Sequence, residues 1–189
     1  MRKKRRERYQ FTSELKVSGY HVETDVIDVP LDVIRVLTRE FDETREQKEL
    51  LIDTTLRRPA TTEVETVVRT GSRGVYQRTP SSFEDERLDT LFYKFRTMLL
   101  HRFPLYDLGE LAVVEAGLQI SGYPLLQTDG MVGATVILVL TGGATLGSPR
   151  NTEQVRVTQG DLLVCDNVSP FKLNPTSECL LFLKCVLNR

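Results

Sequence analysis

The 189 residues are 40 % hydrophobic and 27 % charged, which excludes a wholly disordered or fibrous chain and leaves length for one sizeable core. A formal net charge of −1 excludes a whole-molecule field for nucleic acid or membrane, so any such attraction must come from a local cluster. The chain has no run of about eighteen apolar residues and its start has no apolar secretion stretch, so an intracellular protein, cytoplasmic or nuclear, with no membrane contact is expected.

The local cluster opens the chain. Arg2, Lys3, Lys4, Arg5, Arg6 and Arg8 are interrupted only by Glu7, and residues 1–8 are expected to form a flexible arm unless a partner orders it. Three uses are open for such a run: sequence-independent binding to RNA or DNA phosphates, a nuclear-import signal, or a solvated tail. No aromatic residue except Tyr9 is interleaved with these cations, so no base-stacking platform is indicated. Residues 9–189 read as a single domain, with strands and two helices over 9–108 and a β-barrel core over 109–189.

Within 9–29, Val22, Val26, Ile27 and Val29 favour one or two strands. Asp28 and Pro30 open a helical pattern, carried by Leu31, Ile34, Leu37 and Phe41 and running to about Leu51. Residues 53–80 read as an irregular connection with a short strand candidate at Val64–Val68. A second helix follows, with a capping-box spacing at Ser82 and Asp85 and an apolar stripe of Leu88, Leu91, Phe92, Phe95, Met98 and Leu99. It ends before Pro104, and His101 in its last turn suits the helix dipole.

From Gly109 onward β-type runs alternate with turns: Leu111–Ile120, Ala134–Thr141, Gln154–Thr158, Asp161–Asp166, Phe171–Leu173 and Cys179–Leu187. The expected fold class is therefore α+β, with a C-terminal sandwich or barrel and the two helices packed on its outside. Cys165, Cys179 and Cys185 lie in apolar runs without metal-type spacing and read as reduced core residues. Gly142-Gly143 lacks the lysine and the helix of a phosphate loop.

These runs carry a resemblance. Ala134–Leu140 followed by Thr141-Gly142-Gly143, then Val155–Asp166, then Phe171–Ser177, resemble the strands and turns of the prolyl-hydroxylase-like iron and 2-oxoglutarate oxygenases. That family is built on a double-stranded β-helix, the jelly-roll barrel shared with cupins. The resemblance implies a His-x-Asp pair and a distal histidine around iron. Here Gln127-Thr128-Asp129 stands at the first pair and Phe171 at the distal position, so the resemblance implies a degenerate former metal site at Gln127, Asp129 and Phe171. Neither His21 nor His101 lies in the barrel region. For the 2-oxoglutarate carboxylate the matching place is Cys179, with Lys172 and Lys184 nearby, although a lysine near a strand end is usually a solvated charge.

The residues therefore lead to an expectation of no enzyme, no catalytic residue, no metal and no cofactor. The expected role is a non-catalytic protein-binding or assembly protein, partnered by another protein or by its own copies. Two alternatives stand beside it: nucleic-acid association through the basic arm, and a 2-oxoglutarate-dependent oxygenase with atypical ligation through Asp129.

Overall fold

The structure, a computed structural model, describes residues 17–54, 75–118, 123–125, 133–148 and 151–188. The basic arm, the Val64–Val68 candidate and the pair Gln127 and Asp129 lie outside these residues.

Among the described residues, ten strands form two antiparallel sheets. The elements in chain order are β1 (Tyr20–Glu23), α1 (Leu31–Thr54), β2 (Val75–Arg78), α2 (Glu86–Arg102), β3 (Asp107–Gly117), β4 (Tyr123–Pro124), β5 (Gly133–Thr141), β6 (Gly143–Ser148), β7 (Asn151–Thr158), β8 (Leu162–Asp166), β9 (Lys172–Pro175) and β10 (Cys179–Asn188). The six-stranded sheet runs β1-β8-β5-β10-β3-β2 and the four-stranded sheet runs β4-β9-β6-β7. Two facing sheets with these interleaved strands make a double-stranded β-helix, and the expected α+β architecture holds.

Alternation along the central strands divides the core in two. Leu181, Leu183, Cys185 and Leu187 of β10 join Val136 and Leu138 of β5 on the face that meets both helices. Leu180 and Phe182 of β10 join Val114, Ile137, Val139 and Leu163 inside the barrel, against Ala144, Leu146, Val157 and Leu173 of the smaller sheet. Burial on both faces explains why β5 and β10 read as continuous apolar runs.

The helices differ in detail from their sequence reading. In α1 the buried stripe is Val33, Val36, Leu37 and Phe41, whereas Leu31 is 68 % exposed. The helix begins one residue after Pro30, whose carbonyl accepts from the Ile34 amide at 3.2 Å, and this phase turns Leu31 outward. In α2 all the expected stripe residues except Met98 are buried, but Ser82 is not its cap. Asp85 caps the helix by accepting from the Arg87 amide. Ser82 closes a preceding 3-10 turn, where its hydroxyl donates to the Thr79 carbonyl and accepts from Arg78.

Two charged groups tie helices to strands. Arg78 at the end of β2 is 7 % exposed; its guanidinium donates to the carbonyl and carboxylate of Glu40 on α1 and to the Ser82 carbonyl. The guanidinium also lies 4.1 Å from the centre of the Phe83 ring. On the opposite edge, Glu23 of β1 accepts from Arg102 at the end of α2 and meets His21 Nε2 at 3.4 Å.

The His21 ring and the Arg102 guanidinium hold the Glu23 carboxyl down at about 2. A carboxyl whose folded value lies below its unfolded one stabilises the fold above the unfolded value, and that contribution is lost as pH falls toward the folded value. The group's contribution is therefore expected to vanish between pH 4.5 and about 2. Melting curves across that window should show Glu23→Gln falling less steeply with acid than the parent; parallel curves would contradict this.

Candidate functional site

The barrel interior is apolar along β10 until Lys184. Leu180 and Phe182 face inward, and the same alternation carries Lys184 to that face. In register it lies between Ala112 of β3 and Ile137 of β5. Its Nζ donates to the Tyr123 hydroxyl at 3.4 Å and sits 5.4 Å from the centre of that ring. Tyr123 is 5 % exposed and packs edge-on against Phe182 at 5.3 Å.

An ammonium among apolar side chains loses hydration that a single neutral hydroxyl does not replace. Burial accordingly pushes the Lys184 amine below the ordinary lysine value. Burial also pushes Tyr123 up to about 12, so its phenol keeps its proton at neutral pH and remains a donor. Among the described residues no carboxylate pairs with Lys184.

A second polar pair stands one inward-facing step toward the start of β5. Thr135 Oγ1 donates to Asn167 Oδ1 at 2.9 Å, and both residues are buried. Asn167 Nδ2 has no hydrogen-bond partner among the described residues. It lies 3.3 Å from the place a β-carbon on Gly133 would take, which puts the free donor at the mouth where β5 begins.

Phe171, at the position of the expected distal ligand, is 1 % exposed. Its ring meets Tyr20 edge-on at 5.9 Å, and its carbonyl accepts from the Leu125 amide at 3.0 Å. Phe171 thus lies beside Leu125. It offers no donor atom to a metal.

His21 lies on β1 and is bound up with Glu23, on the opposite face from Tyr20 and Val22, which pack on the barrel core. The exposed His101 ring lies 3.0 Å from the Thr97 carbonyl on α2. No group of three His, Cys, Asp or Glu side chains comes together among the described residues. The described residues therefore do not fit a two-histidine, one-carboxylate iron site.

Of the basic residues considered for an acid, Lys172 is exposed. Lys184 is the one turned inward, which corrects its reading as a solvated strand-end charge. Cys179 is partly buried, Cys165 and Cys185 are buried, and all three are free thiols. Burial raises the Cys165 and Cys185 thiols, which leaves them poor nucleophiles.

Sequence reasoning missed Tyr123, Thr135 and Asn167. Tyr123 lies on β4, which is only two residues long. A usable signal was present at Lys184, the single charge in the otherwise apolar run Leu180–Leu187.

No family model and no curated protein sequence matches the chain. Solved structures do match across nearly its whole length. A prolyl-4-hydroxylase of Pseudomonas putida is similar at 16 % identity, covering 96 % of this chain and 98 % of its own, with a TM-score of 0.55. A 2OG-Fe(II) oxygenase family oxidoreductase of Burkholderia pseudomallei gives 10 % identity, coverages of 96 % and 89 %, and a TM-score of 0.55. A prolyl hydroxylase of Trichoplax adhaerens gives 14 %, 99 %, 91 % and 0.52 in the same order.

Likeness at this identity shows the fold: the chain has the barrel of the prolyl-hydroxylase-like oxygenases. It also corrects one expectation. These structures of the same fold are enzymes, so the fold points toward an enzyme and away from the non-enzyme reading of the sequence. No helix among the described residues is long and apolar enough to cross a membrane.

Proposed function

We propose that this protein is an enzyme of the oxygenase fold that takes a small 2-oxo acid into the barrel, with Lys184 receiving the acid's carboxylate. One observation carries the reading: a partly buried ammonium faces the barrel interior with only a phenol as its polar partner among the described residues. An uncompensated cation in such surroundings costs stability unless an anion joins it. The class of acid is supported by the fold's oxygenases, one of them described as a 2OG-Fe(II) oxygenase.

In this reading Lys184 supplies charge and Tyr123, protonated at neutral pH, donates to a carboxylate oxygen. Asn167 Nδ2 offers a further donor nearer the mouth. The walls formed by Ile137, Phe182 and Leu163 keep water away from these contacts, which strengthens them. Because the described residues do not supply the ligands of an iron centre, no step is assigned to a metal.

Calorimetric titration of 2-oxoglutarate into the whole chain tests the reading. Binding is expected, and Lys184→Met should weaken it by about ten- to a hundredfold, the range for a lost hydrogen bond to a charged group. Absence of binding to the unaltered protein, or equal binding by Lys184→Met, would overturn it.

A further inference from the structure

We infer that Lys184 is also a nucleophile, forming a reversible imine with the keto carbon of the acid it receives. The inference rests on the reading that a 2-oxo acid binds there, and it goes further by giving the bound acid a covalent fate. The geometry that supports it is the placing of one amine inside the barrel, against the short side chain of Ala112 on one side and Tyr123 ahead of it. In a 2-oxo acid one carboxylate is bonded directly to the keto carbon, and the inference places that carboxylate, not the distal one of 2-oxoglutarate, at Lys184. A nitrogen drawn to that carboxylate is therefore already within reach of the carbonyl.

The electron count closes without a co-reactant. Lys184 releases a proton, its lone pair forms the N–C bond, and the carbonyl π pair moves to oxygen. That oxygen then leaves as water as the C=N bond forms. Overall an ammonium and a ketone become a protonated imine and one water, and nothing is oxidised or reduced. The protonated imine keeps its positive charge beside the carboxylate. A lysine in apolar surroundings is suited to this step because desolvation leaves more of it as the free amine at neutral pH. Tyr123, which keeps its phenolic proton, is placed to hand a hydrogen to the departing oxygen.

Borohydride reduction of the whole protein with 2-oxoglutarate tests this, because hydride converts the imine into a stable secondary amine. Intact-mass measurement should show one adduct per chain, and peptide mapping should place it on Lys184. Succinate, which has the carboxylates but no ketone, should leave no adduct. Lys184→Arg cannot form the imine, so it should lose the adduct whatever affinity for 2-oxoglutarate it keeps. Trapping should rise with pH about a midpoint below that of an ordinary lysine.

If the unaltered protein binds the acid and no adduct forms, the imine is wrong and the binding reading stands. Absence of binding removes the binding reading itself. An adduct that persists in Lys184→Arg, or one with the midpoint of a solvated lysine, places the chemistry elsewhere and overturns the inference.

Discussion

Replacing Arg78 with alanine is expected to lower the unfolding free energy by about 3–5 kcal/mol, the range for removing one partner of a buried charged network. For a chain of this size the melting temperature should fall on the order of 10 °C. The size of the effect follows from what the guanidinium holds together. It is 7 % exposed and donates to the Ser82 carbonyl at 2.5 Å and to the Ser82 hydroxyl at 3.1 Å. It also donates to the carbonyl and carboxylate of Glu40, both at 3.3 Å.

Alanine would remove these donors from α1 and the 3-10 turn together and strip a cation from the Phe83 face. Lysine at position 78 should recover only a small part, because a point charge cannot reproduce a planar fork that serves a carbonyl, a hydroxyl and a carboxylate at once. Chemical unfolding of the alanine and lysine variants beside the parent checks both statements. A parent-like midpoint for the alanine variant would show that the guanidinium is not a structural tie.

Phe171→Ala should produce a loss of similar size, about 3–5 kcal/mol, by a different cause. Here no charge is involved, and the loss combines transfer of a large ring with the space left inside the barrel. The ring is 1 % exposed, packs edge-on against Tyr20 and reaches within 3.0 Å of the β-carbon position of Gly19. It therefore pins the strand at the start of the described chain to the mouth of the barrel. Phe171→Leu should retain most of the stability, since it keeps apolar volume at the same point. Unfolding midpoints that rank Phe above Leu above Ala support a packing role, whereas equal midpoints for all three would refute it.

Much of the fold was readable in the residues, for a physical reason. Strands buried on both faces must be apolar throughout, so Ala134–Thr141, Asp161–Asp166 and Cys179–Leu187 announced themselves, and they became β5, β8 and β10. The α2 stripe did the same at helical spacing. What escaped was short or polar: β4 is two residues, β6 carries two glycines, and β2 lay within a stretch that reads as connection. Pairing with a neighbouring strand creates these elements, and local composition holds no record of it.

The site divides in the same way. Phe171 was singled out only through the family resemblance, and what the structure adds is its burial against Tyr20. That Lys184 faces inward depends on the parity of β10 against Phe182, and Tyr123 reaches it from the other sheet.

The placing of β10 also decides when the barrel can form. It is the last of the described strands, yet it lies in the middle of the larger sheet between β3 and β5, and β1, the first of them, closes onto β8. A chain leaving the ribosome therefore carries β3 and β5 with bare adjoining edges until Leu180 to Asn188 have emerged. Closure of the sheet is a late event that joins distant segments, and such joining is slow because loop entropy is lost before the contacts reward it. The nascent protein spends that interval with its most apolar strands unpaired, the state in which chaperones find their substrates.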